Sequence, residues 1–315
     1  MSAMGSALLT LVTAVVGTAV LGMASRWVDR KVTARIQWRV GPPWYQPLAD
    51  FLKLMGKETL VPESARRSGF LLAPLAGFAA TAAAAAILWR ANWNPEKSFV
   101  GDLIVVLYLL TVPSFALVVG GSCSGNPHAA AGASREMKLI LSYELPLVLA
   151  CIAMALVKGA LPGGGYSFSL GRLIGTPLTG PLAIAAGVLG FLVGLFCVQA
   201  KLGAVPFDQS EAETEIMGGV LCEYSGPPLA LVKLTRDMLL AVLPILLLTV
   251  FWGGVQFSGL GVLWSVLKYV LILVAVVLIR NTNPRVRIDQ AMKFFWYGLT
   301  PVSAISVILA LWAIG

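Results

Sequence analysis

The sequence predicts an all-α, polytopic membrane protein of about eight transmembrane helices. Of its 315 residues, 58% are hydrophobic and only 12% are charged, with a mean hydropathy of +0.84. Soluble domains carry roughly 25% charged residues. Apolar runs of about 20 residues, the length that crosses the hydrocarbon core of a bilayer, recur along the chain. Lipid accepts such apolar surfaces, whereas a soluble fold would have too little polar surface left to face water.

The apolar runs are separated by loops, which we number by the span that they follow. Small residues occur throughout the runs, and they let helices approach each other closely in lipid. The chain has no soluble domain, low-complexity tail or clear internal repeat, so we expect residues 1–315 to form a single integral membrane domain. The eight predicted spans are residues 3–25, 69–90, 100–122, 139–157, 181–200, 227–252, 260–278 and 295–314.

The distribution of basic residues predicts the orientation of these spans. Loops one, three, five and seven hold 16 of the 23 Lys and Arg residues, and loops two and four with their flanks hold four. Basic residues gather on the cytoplasmic side of membrane proteins. We therefore expect the odd-numbered loops in the cytoplasm and both termini outside, in the cytoplasmic membrane. The net charge of +8 then needs no nucleic-acid partner.

Loop one contains a short segment with the periodicity of an amphipathic helix. Within residues 47–57, Leu48, Phe51, Leu52 and Met55 recur at helical spacing, while the charged residues fall elsewhere. Such a helix lies in the membrane interface and contacts lipid with its apolar face. The sequence therefore predicts an interfacial helix in this loop.

Loop five is acidic on the side where loops are usually basic. It carries five carboxylates against one base, Lys201. A solvated acidic loop is one interpretation, but here the acids alternate with apolar and aromatic residues. Glu211 and Glu215, four residues apart, would stack like charges on one helical face. Clustered carboxylates raise each other's pKa, which favours proton exchange near neutrality. The carboxylates are Asp208, Glu211, Glu213, Glu215 and Glu223.

Five ionisable residues lie well inside predicted spans, where a charge costs roughly 2.5–3.5 kcal/mol on the insertion scale. Two interpretations are open and can coexist. The charges can form ion pairs that fix helix packing, as Lys233 and Asp237 would if they paired along one helical face. They can also line a hydrated path for protons or ions. These residues are Glu144, Lys233, Arg236, Asp237 and Lys268.

Metal ligands are scarce. The four cysteines contain no CxxC pair, so we interpret them as small core residues, and His128 is the only histidine. We therefore expect no metal and no cofactor bound by this chain itself.

The charged segments resemble the complex I subunit 1 family, which is also called the H subunit family of NADH:quinone oxidoreductase. The motifs SYELP, PFDQSEAETE and EYSG match signatures of this family. The matches occur in family order and span nearly the whole chain: residues 30–42, 46–54, 57–58, 142–146, 206–215, 223–226 and 279–292.

Two departures resemble a particular branch of the family. The segment after Gly41 and Pro42 is several residues shorter than in quinone-reducing members, and Trp44 and Tyr45 stand where the extra turn would be. The residues after EYSG also lack the usual aromatic-rich run. Both features are similar to the homologous subunit of energy-converting, membrane-bound [NiFe] hydrogenases. We expect the shortened loop, packed with aromatics, to close the quinone chamber.

The resemblance implies a membrane-anchor and coupling subunit of a redox-driven complex that translocates H⁺ or Na⁺. Iron–sulfur clusters and a NiFe centre would lie on partner subunits, namely the iron–sulfur and hydrogenase large and small subunits of a hydrophilic arm. Antiporter-like and small membrane subunits would complete the complex. The ion-coupling residues would be the loop-five carboxylates and the five charges within spans. The arm interface would comprise Arg30, Arg35, Arg39, Asp50, Lys53, Arg285 and Arg287.

Two alternatives remain open. The same fold serves as the quinone-binding membrane subunit of a respiratory NADH or ferredoxin:quinone oxidoreductase. A self-sufficient secondary transporter is less consistent with the sequence, because transporters often carry inverted repeats and would not need the long loop motifs.

Overall fold

The computed structural model describes residues 3–161 and 165–314, with side chains from Thr10 onward. Within these ranges the chain is helical, and eight helices are long and apolar enough to cross a membrane. The predicted all-α polytopic fold is thus confirmed. The spans are α1 (Ala3–Ile36), α3 (Arg67–Trp93), α4 (Asp102–Cys123), α5 (Pro127–Gly159), α7 (Pro181–Lys201), α9 (Gly226–Trp252), α10 (Gly261–Thr282) and the last span (Ile288–Trp312).

Short helices lie between or at the ends of the spans: α2 (Gln46–Met55), α6 (Leu170–Gly175), α8 (Glu213–Ile216) and α11 (Ile288–Lys293). The last of them continues without a break through a π-helical turn, Phe294–Leu299, into α12 (Thr300–Trp312). The final span is therefore one continuous helix with a local widening of its backbone.

Helix α9 forms the centre of the bundle. In its most apolar window 83% of the residues are buried within the chain, against 22% for α1 and 28% for α10. It packs against α1 and α3 along most of its length. The peripheral helices instead turn apolar side chains outward, as expected for surfaces that face lipid.

The loops at one end of the bundle contact one another and form what we call the charged face. These are the connections α1–α3, α4–α5, α7–α9 and α10–α11, which correspond to loops one, three, five and seven. The amide of Leu60 in loop one donates to Ser225 in loop five at 3.1 Å. Loop seven also contacts loop five within the charged face, because the amide of Val286 donates to the Pro206 carbonyl at 3.2 Å. Loops two, four and six lie at the opposite face.

Helix α5 begins much earlier than the apolar run predicts. It starts at Pro127 rather than near residue 139, so it extends well past the apolar region into the charged face. Asn126 is its N-cap, and the Asn126 side chain accepts from the His128 amide at 2.8 Å. Proline at the first helical position completes this start signal. The polar first turns are shielded by other loops instead of lipid, which hydropathy alone cannot reveal.

The interfacial helix predicted in loop one is α2, and it lies beside α1 and α9. Phe51 packs toward Met238 of α9. Leu48, Leu52 and Met55 are exposed on the outer side of α2. An apolar face turned away from the bundle is what an interfacial helix presents to lipid.

The cysteines only partly follow the prediction that all four lie in the core. Cys151 and Cys197 are buried between spans, but Cys123 is half-buried and Cys222 is exposed. The difference arises because these last two lie at the charged face, at the end of α4 and in loop five, rather than within an apolar run.

Candidate functional site

The EYSG motif attaches loop five to the rest of the charged face. Tyr224 stacks on Phe70 of α3, with ring centroids 4.2 Å apart and planes 5° from parallel. Burial raises the pKa of the Tyr224 hydroxyl, which therefore keeps its proton and donates to the Phe70 carbonyl at 3.0 Å. Glu223 accepts from the Asn126 side chain at 2.5 Å, next to the start of α5. Together with the bond between Leu60 and Ser225, these contacts fix the end of the acidic loop.

The middle of loop five lies directly against α5. A Cβ atom on Gly132 would lie 2.7 Å from the Ser210 carbonyl oxygen and 2.8 Å from the Val220 amide nitrogen. Only glycine permits this approach between two backbones. The Gln209 side chain donates to the Val286 carbonyl at 2.9 Å, so the loop also contacts loop seven. The loop is therefore held on two sides.

Three of the five carboxylates of loop five pair with cations from different elements. Asp208 is buried and forms an ion pair with Arg285 of loop seven at 2.7 Å. Glu211 accepts two hydrogen bonds from the guanidinium of Arg236 in α9, one of them at 2.6 Å. The ion pair between Glu211 and Arg236 therefore connects loop five to the interior of the bundle, because Arg236 belongs to the central helix α9.

The predicted stacking of Glu211 on Glu215 is wrong. Ala212, with φ −58° and ψ 99°, interrupts the helical backbone, so Glu211 ends one short turn and Glu215 belongs to α8. Glu215 pairs with Arg135 in the third turn of α5. Glu213 is exposed and forms no ion pair with any residue that the structure describes. Like charges are thus separated instead of stacked.

A second group of charges joins α1, α9 and α10. Arg26 donates to Asp237 at 2.7 Å and to Asp29 at 3.3 Å, and Arg280 donates to Asp29 at 2.6 Å. The predicted pair between Lys233 and Asp237 does not form. Lys233 is exposed, whereas Asp237 faces α1, because packing against that helix offers a closer cation than the next turn of its own helix.

Arg30 and Asp50, both predicted to face the hydrophilic arm, contact each other at 2.8 Å. This ion pair fixes α2 against α1, and Gln46 adds a hydrogen bond to Asp50 at 2.8 Å. Partial burial alone would raise the pKa of Asp50. The hydrogen bonds from Arg30 and Gln46, with the charge of Arg30, outweigh that effect and lower the pKa below its usual value.

Glu144 lies inside the bundle and pairs with Lys201, the last residue of α7. The Lys201 side chain is 1% exposed, and its ammonium nitrogen lies 5.3 Å from the centre of the Tyr143 ring. An ion pair at this depth satisfies two groups that neither lipid nor an apolar core would accept alone.

Lys268 does not belong to this group. Its ammonium donates to the Trp252 carbonyl at 3.2 Å, at the end of α9 that faces the opposite side of the bundle. Lys158, which no sequence pattern singles out, is buried there and donates to the Val250 carbonyl at 2.8 Å. Two cations thus cap the carbonyl end of the central helix, where the helix dipole favours positive charge.

Other predicted interface residues lie free on the charged face. Arg35, Arg39, Lys53 and Arg287 are exposed, and none forms an ion pair within the described part of the chain. Their charges are therefore available to a partner.

The aromatic residues of the shortened loop do not pack as predicted. Trp44 is 75% exposed and Tyr45 52% exposed, and they contact each other edge to face at 5.9 Å. Because the shortened loop turns outward, the aromatics do not fill the space between α1, α2 and α9. A cleft of about 270 Å³ remains there, lined among others by Arg26, Phe51 and Asp237.

Three buried carboxyls were not predicted from the sequence. Asp102, the first residue of α4, is 1% exposed and accepts from the Leu170 amide at 2.6 Å. Asp29 is 2% exposed and Glu136 is 3% exposed. Both lay in predicted loops, where charge needs no explanation. The helix start signal at Asn126 and Pro127 would have placed Glu136 inside a helix. No group of three or more His, Cys, Asp and Glu residues in the described ranges could hold a metal ion.

A multi-pass helical bundle with a layer of ion pairs on one face, some continuing into the interior, is the architecture of a membrane subunit that works within a larger complex. A sequence profile of the NADH dehydrogenase family matches residues 8–311. This chain belongs to that family, as the loop motifs predict.

Relatives include the H subunit of NADH-quinone oxidoreductase from Thermomicrobium roseum, 35% identical over 92% of this chain and 91% of the relative. The corresponding subunit from Geobacillus thermodenitrificans is 32% identical over 97% and 92% of the two chains. Among solved structures, a chain of the membrane-bound sulfane sulfur reductase, an archaeal respiratory membrane complex, superposes with a TM-score of 0.83. That chain is 26% identical, with 97% of this chain and 99% of that chain covered.

Proposed function

We propose that this chain anchors and couples a redox-driven ion pump in the cytoplasmic membrane, with the charged face in the cytoplasm and both termini outside. One observation carries the proposal. Three carboxylates of loop five, Asp208, Glu211 and Glu215, are held by cations from separate elements. The pair between Glu211 and Arg236 connects this layer of ion pairs to the central helix. A change in charge above the layer would act on these pairs through Coulomb forces that the low dielectric leaves strong.

The hydrophilic arm would dock on the charged face. The exposed cations Arg35, Arg39, Lys53 and Arg287 offer it charge that no described residue neutralises. Iron–sulfur clusters on the arm would then lie above loop five, and ions would cross through this subunit, antiporter-like and small membrane partners, or both. Pairing of Arg30 with Asp50 and of Arg285 with Asp208 indicates that these four residues first shape the docking surface itself.

The electron acceptor of the complex is, in this proposal, reduced on the arm and not in the membrane. The hydrogenase-type complex, with a NiFe centre on the large subunit and protons as acceptor, is the leading form. The shortened segment after Pro42 supports it. A sulfur compound is a second acceptor of the same kind, favoured by the end-to-end match with the sulfane sulfur reductase chain.

Quinone reduction is the alternative that a specific observation favours. The relatives from Thermomicrobium roseum and Geobacillus thermodenitrificans are subunits of NADH-quinone oxidoreductases. The cleft between α1, α2 and α9 has charged walls and a smaller apolar part, which suits a polar quinone head group. The outward position of Trp44 removes one argument against it.

Turnover of the purified complex with three acceptors decides between these forms. We expect H₂ evolution from a reduced low-potential donor such as ferredoxin, with no effect of quinone-site inhibitors. Polysulfide reduction without H₂ evolution would replace the hydrogenase by the sulfur reductase. Inhibitor-sensitive quinone reduction would establish the alternative.

Coupling is tested in sealed vesicles with the Glu211→Gln variant, which keeps the size of the side chain and removes its charge. We expect the number of ions moved per electron to fall by at least about tenfold, because loss of a proton-transfer group typically slows the transfer by about 10²–10⁴-fold. Glu96→Gln, an exposed carboxyl at the opposite face, is the matched control. Unchanged pumping in Glu211→Gln would contradict a coupling role for this pair.

A further inference from the structure

Glu136 is a buried carboxyl that the ion-pair layer leaves unused. It lies on the part of α5 that extends into the charged face and is 3% exposed. Its carboxyl faces the hydroxyls of Ser210 in loop five and Ser114 in α4, which line the same cavity. A carboxyl at such a site needs polar partners, because an unsatisfied charge away from water is costly.

Two cations flank Glu136, but each already has an acidic partner. Arg236 acts electrostatically on Glu136 while its guanidinium pairs with Glu211. Lys201 lines the same cavity while its ammonium pairs with Glu144. Glu136 is therefore not needed to neutralise either cation. It can be uncharged in this setting, and it can also lose its proton beside two positive groups that offset the new charge.

A series of hydroxyl groups leads from Glu136 in the direction of Glu144. The Tyr143 hydroxyl donates to the Ser114 oxygen at 3.2 Å, so Ser114 connects Glu136 to Tyr143. The ring of Tyr143 lies under the ammonium of Lys201. Hydroxyl groups both donate and accept, so each can take up one proton and release another.

A small cavity lies between Glu136 and Lys201, the ion-pair partner of Glu144. Glu136 and Glu144 are eight residues apart on one helix, or about 12 Å along its axis, which is too far for direct transfer. The cavity has a volume of about 30 Å³, and a site of more than roughly 10–15 Å³ with polar walls can hold a water molecule. Its walls include Ser114, Glu136, Lys201 and Ser210.

We propose that Glu136 is the proton-relay carboxyl between loop five and the Glu144–Lys201 pair, an inference that rests on the coupling function proposed above. Glu136 takes a proton from the loop-five side, where Ser210 contacts it. It then passes a proton to water in the cavity or to the Ser114 hydroxyl, and from there the proton moves toward the ion pair. Each hydroxyl on the way gains one proton and loses one, so no charge accumulates on it.

Three variants in the intact complex test the relay. Glu136→Gln keeps the hydrogen-bonding shape but carries no transferable acid proton, and Ser114→Ala breaks the link to Tyr143. We expect the ions moved per electron to fall by at least about tenfold in Glu136→Gln and by less in Ser114→Ala, where water can bypass the hydroxyl. Glu136→Asp retains the acid and should recover part of the pumping. Glu96→Gln is the control.

Infrared difference spectroscopy of the wild-type complex supplies a second readout. Reduction and oxidation of the arm should change a carboxyl C=O band that shifts in D₂O and is missing in Glu136→Gln. A structural role alone would produce no such band. If the Glu136→Gln complex does not assemble, the carboxyl band of the wild-type complex and the ion pumping of Glu136→Asp still test the relay.

The outcomes separate the relay from the coupling function. Wild-type pumping that persists in Glu136→Gln, with no Glu136 band, would overturn the relay and leave the coupling function intact. A wild-type complex that moves no ions would overturn the coupling function itself, and the presence or absence of the Glu136 band would then decide whether this carboxyl exchanges a proton at all.

Discussion

Lys201 pairs with Glu144 across two spans, joining the last residue of α7 to the middle of α5 in the bundle interior. The two residues are 57 positions apart in the sequence. The pair terminates the apolar part of α7 and places a cation beside the ring of Tyr143. The contribution of this pair to the stability of the protein can be measured.

Breaking this pair from one side should destabilise the protein. Lys201→Met leaves the Glu144 carboxylate without its cation, and removal of one partner of a buried pair costs about 3–5 kcal/mol. The double variant Glu144→Leu with Lys201→Met removes both charges and should recover most of that loss, but not ion pumping. Thermal unfolding of the purified complex measures the loss of stability in Lys201→Met and its recovery in the double variant. A double variant as unstable as Lys201→Met would show that the loss has another origin.

Loop five should detach from α5 when Gly132 gains a side chain. Gly132→Ala puts a methyl group 2.7 Å from the Ser210 carbonyl oxygen, and neither backbone can yield cheaply. We expect faster proteolysis of loop five and weaker retention of the arm during purification. Gly17→Ala, on α1 with no atom within 4 Å of the new methyl, is the matched control. Normal arm retention in Gly132→Ala would indicate that the loop can move without loss of docking.

The docking of α2 should depend weakly on Asp50. Asp50→Asn removes the ion pair with Arg30, and at 36% side-chain exposure we expect a loss of less than about 1 kcal/mol. Because the folded pKa lies below its usual value, this contribution is complete above the ordinary aspartate pKa, roughly 4, and is lost as the pH falls through the folded pKa. Hydrogen exchange of the α2 amides measures it. Stabilisation that increased toward low pH would contradict the assigned direction.

Orientation can be tested with reporters at the four loops of the charged face. Fusions after residues 68, 125, 225 and 290 should all report the cytoplasm, as the excess of Lys and Arg in these loops predicts. The fusion in loop three belongs after residue 125, since α5 begins at Pro127 and a later junction would interrupt it. A periplasmic or external signal at any of the four sites would reverse the assignment.

The spans and the interfacial helix were predictable because lipid imposes one strong rule on composition and length. The start of α5 could not be predicted from hydropathy, because the first turns of this helix are covered by loops of the same chain and not by lipid. The ion-pair partners of the charged residues could not be predicted from the sequence either. Arg26 and Asp237 are 211 residues apart, and only the packing of α1 on α9 selects that pair over the local one with Lys233. Spacing along one helix predicts contacts only where the helix is unbroken, which fails at Ala212.

The exposed thiol of Cys222 gives the intact protein a native reporter of assembly. It is the only exposed cysteine of the described chain, next to Glu223 on the surface where we place the arm. A membrane-impermeant maleimide should alkylate it rapidly in the isolated subunit and slowly once the arm is seated. The same reagent, added to one side of sealed vesicles, reads out sidedness. Arm occupancy and topology thus become measurable by mass spectrometry on the unmodified sequence.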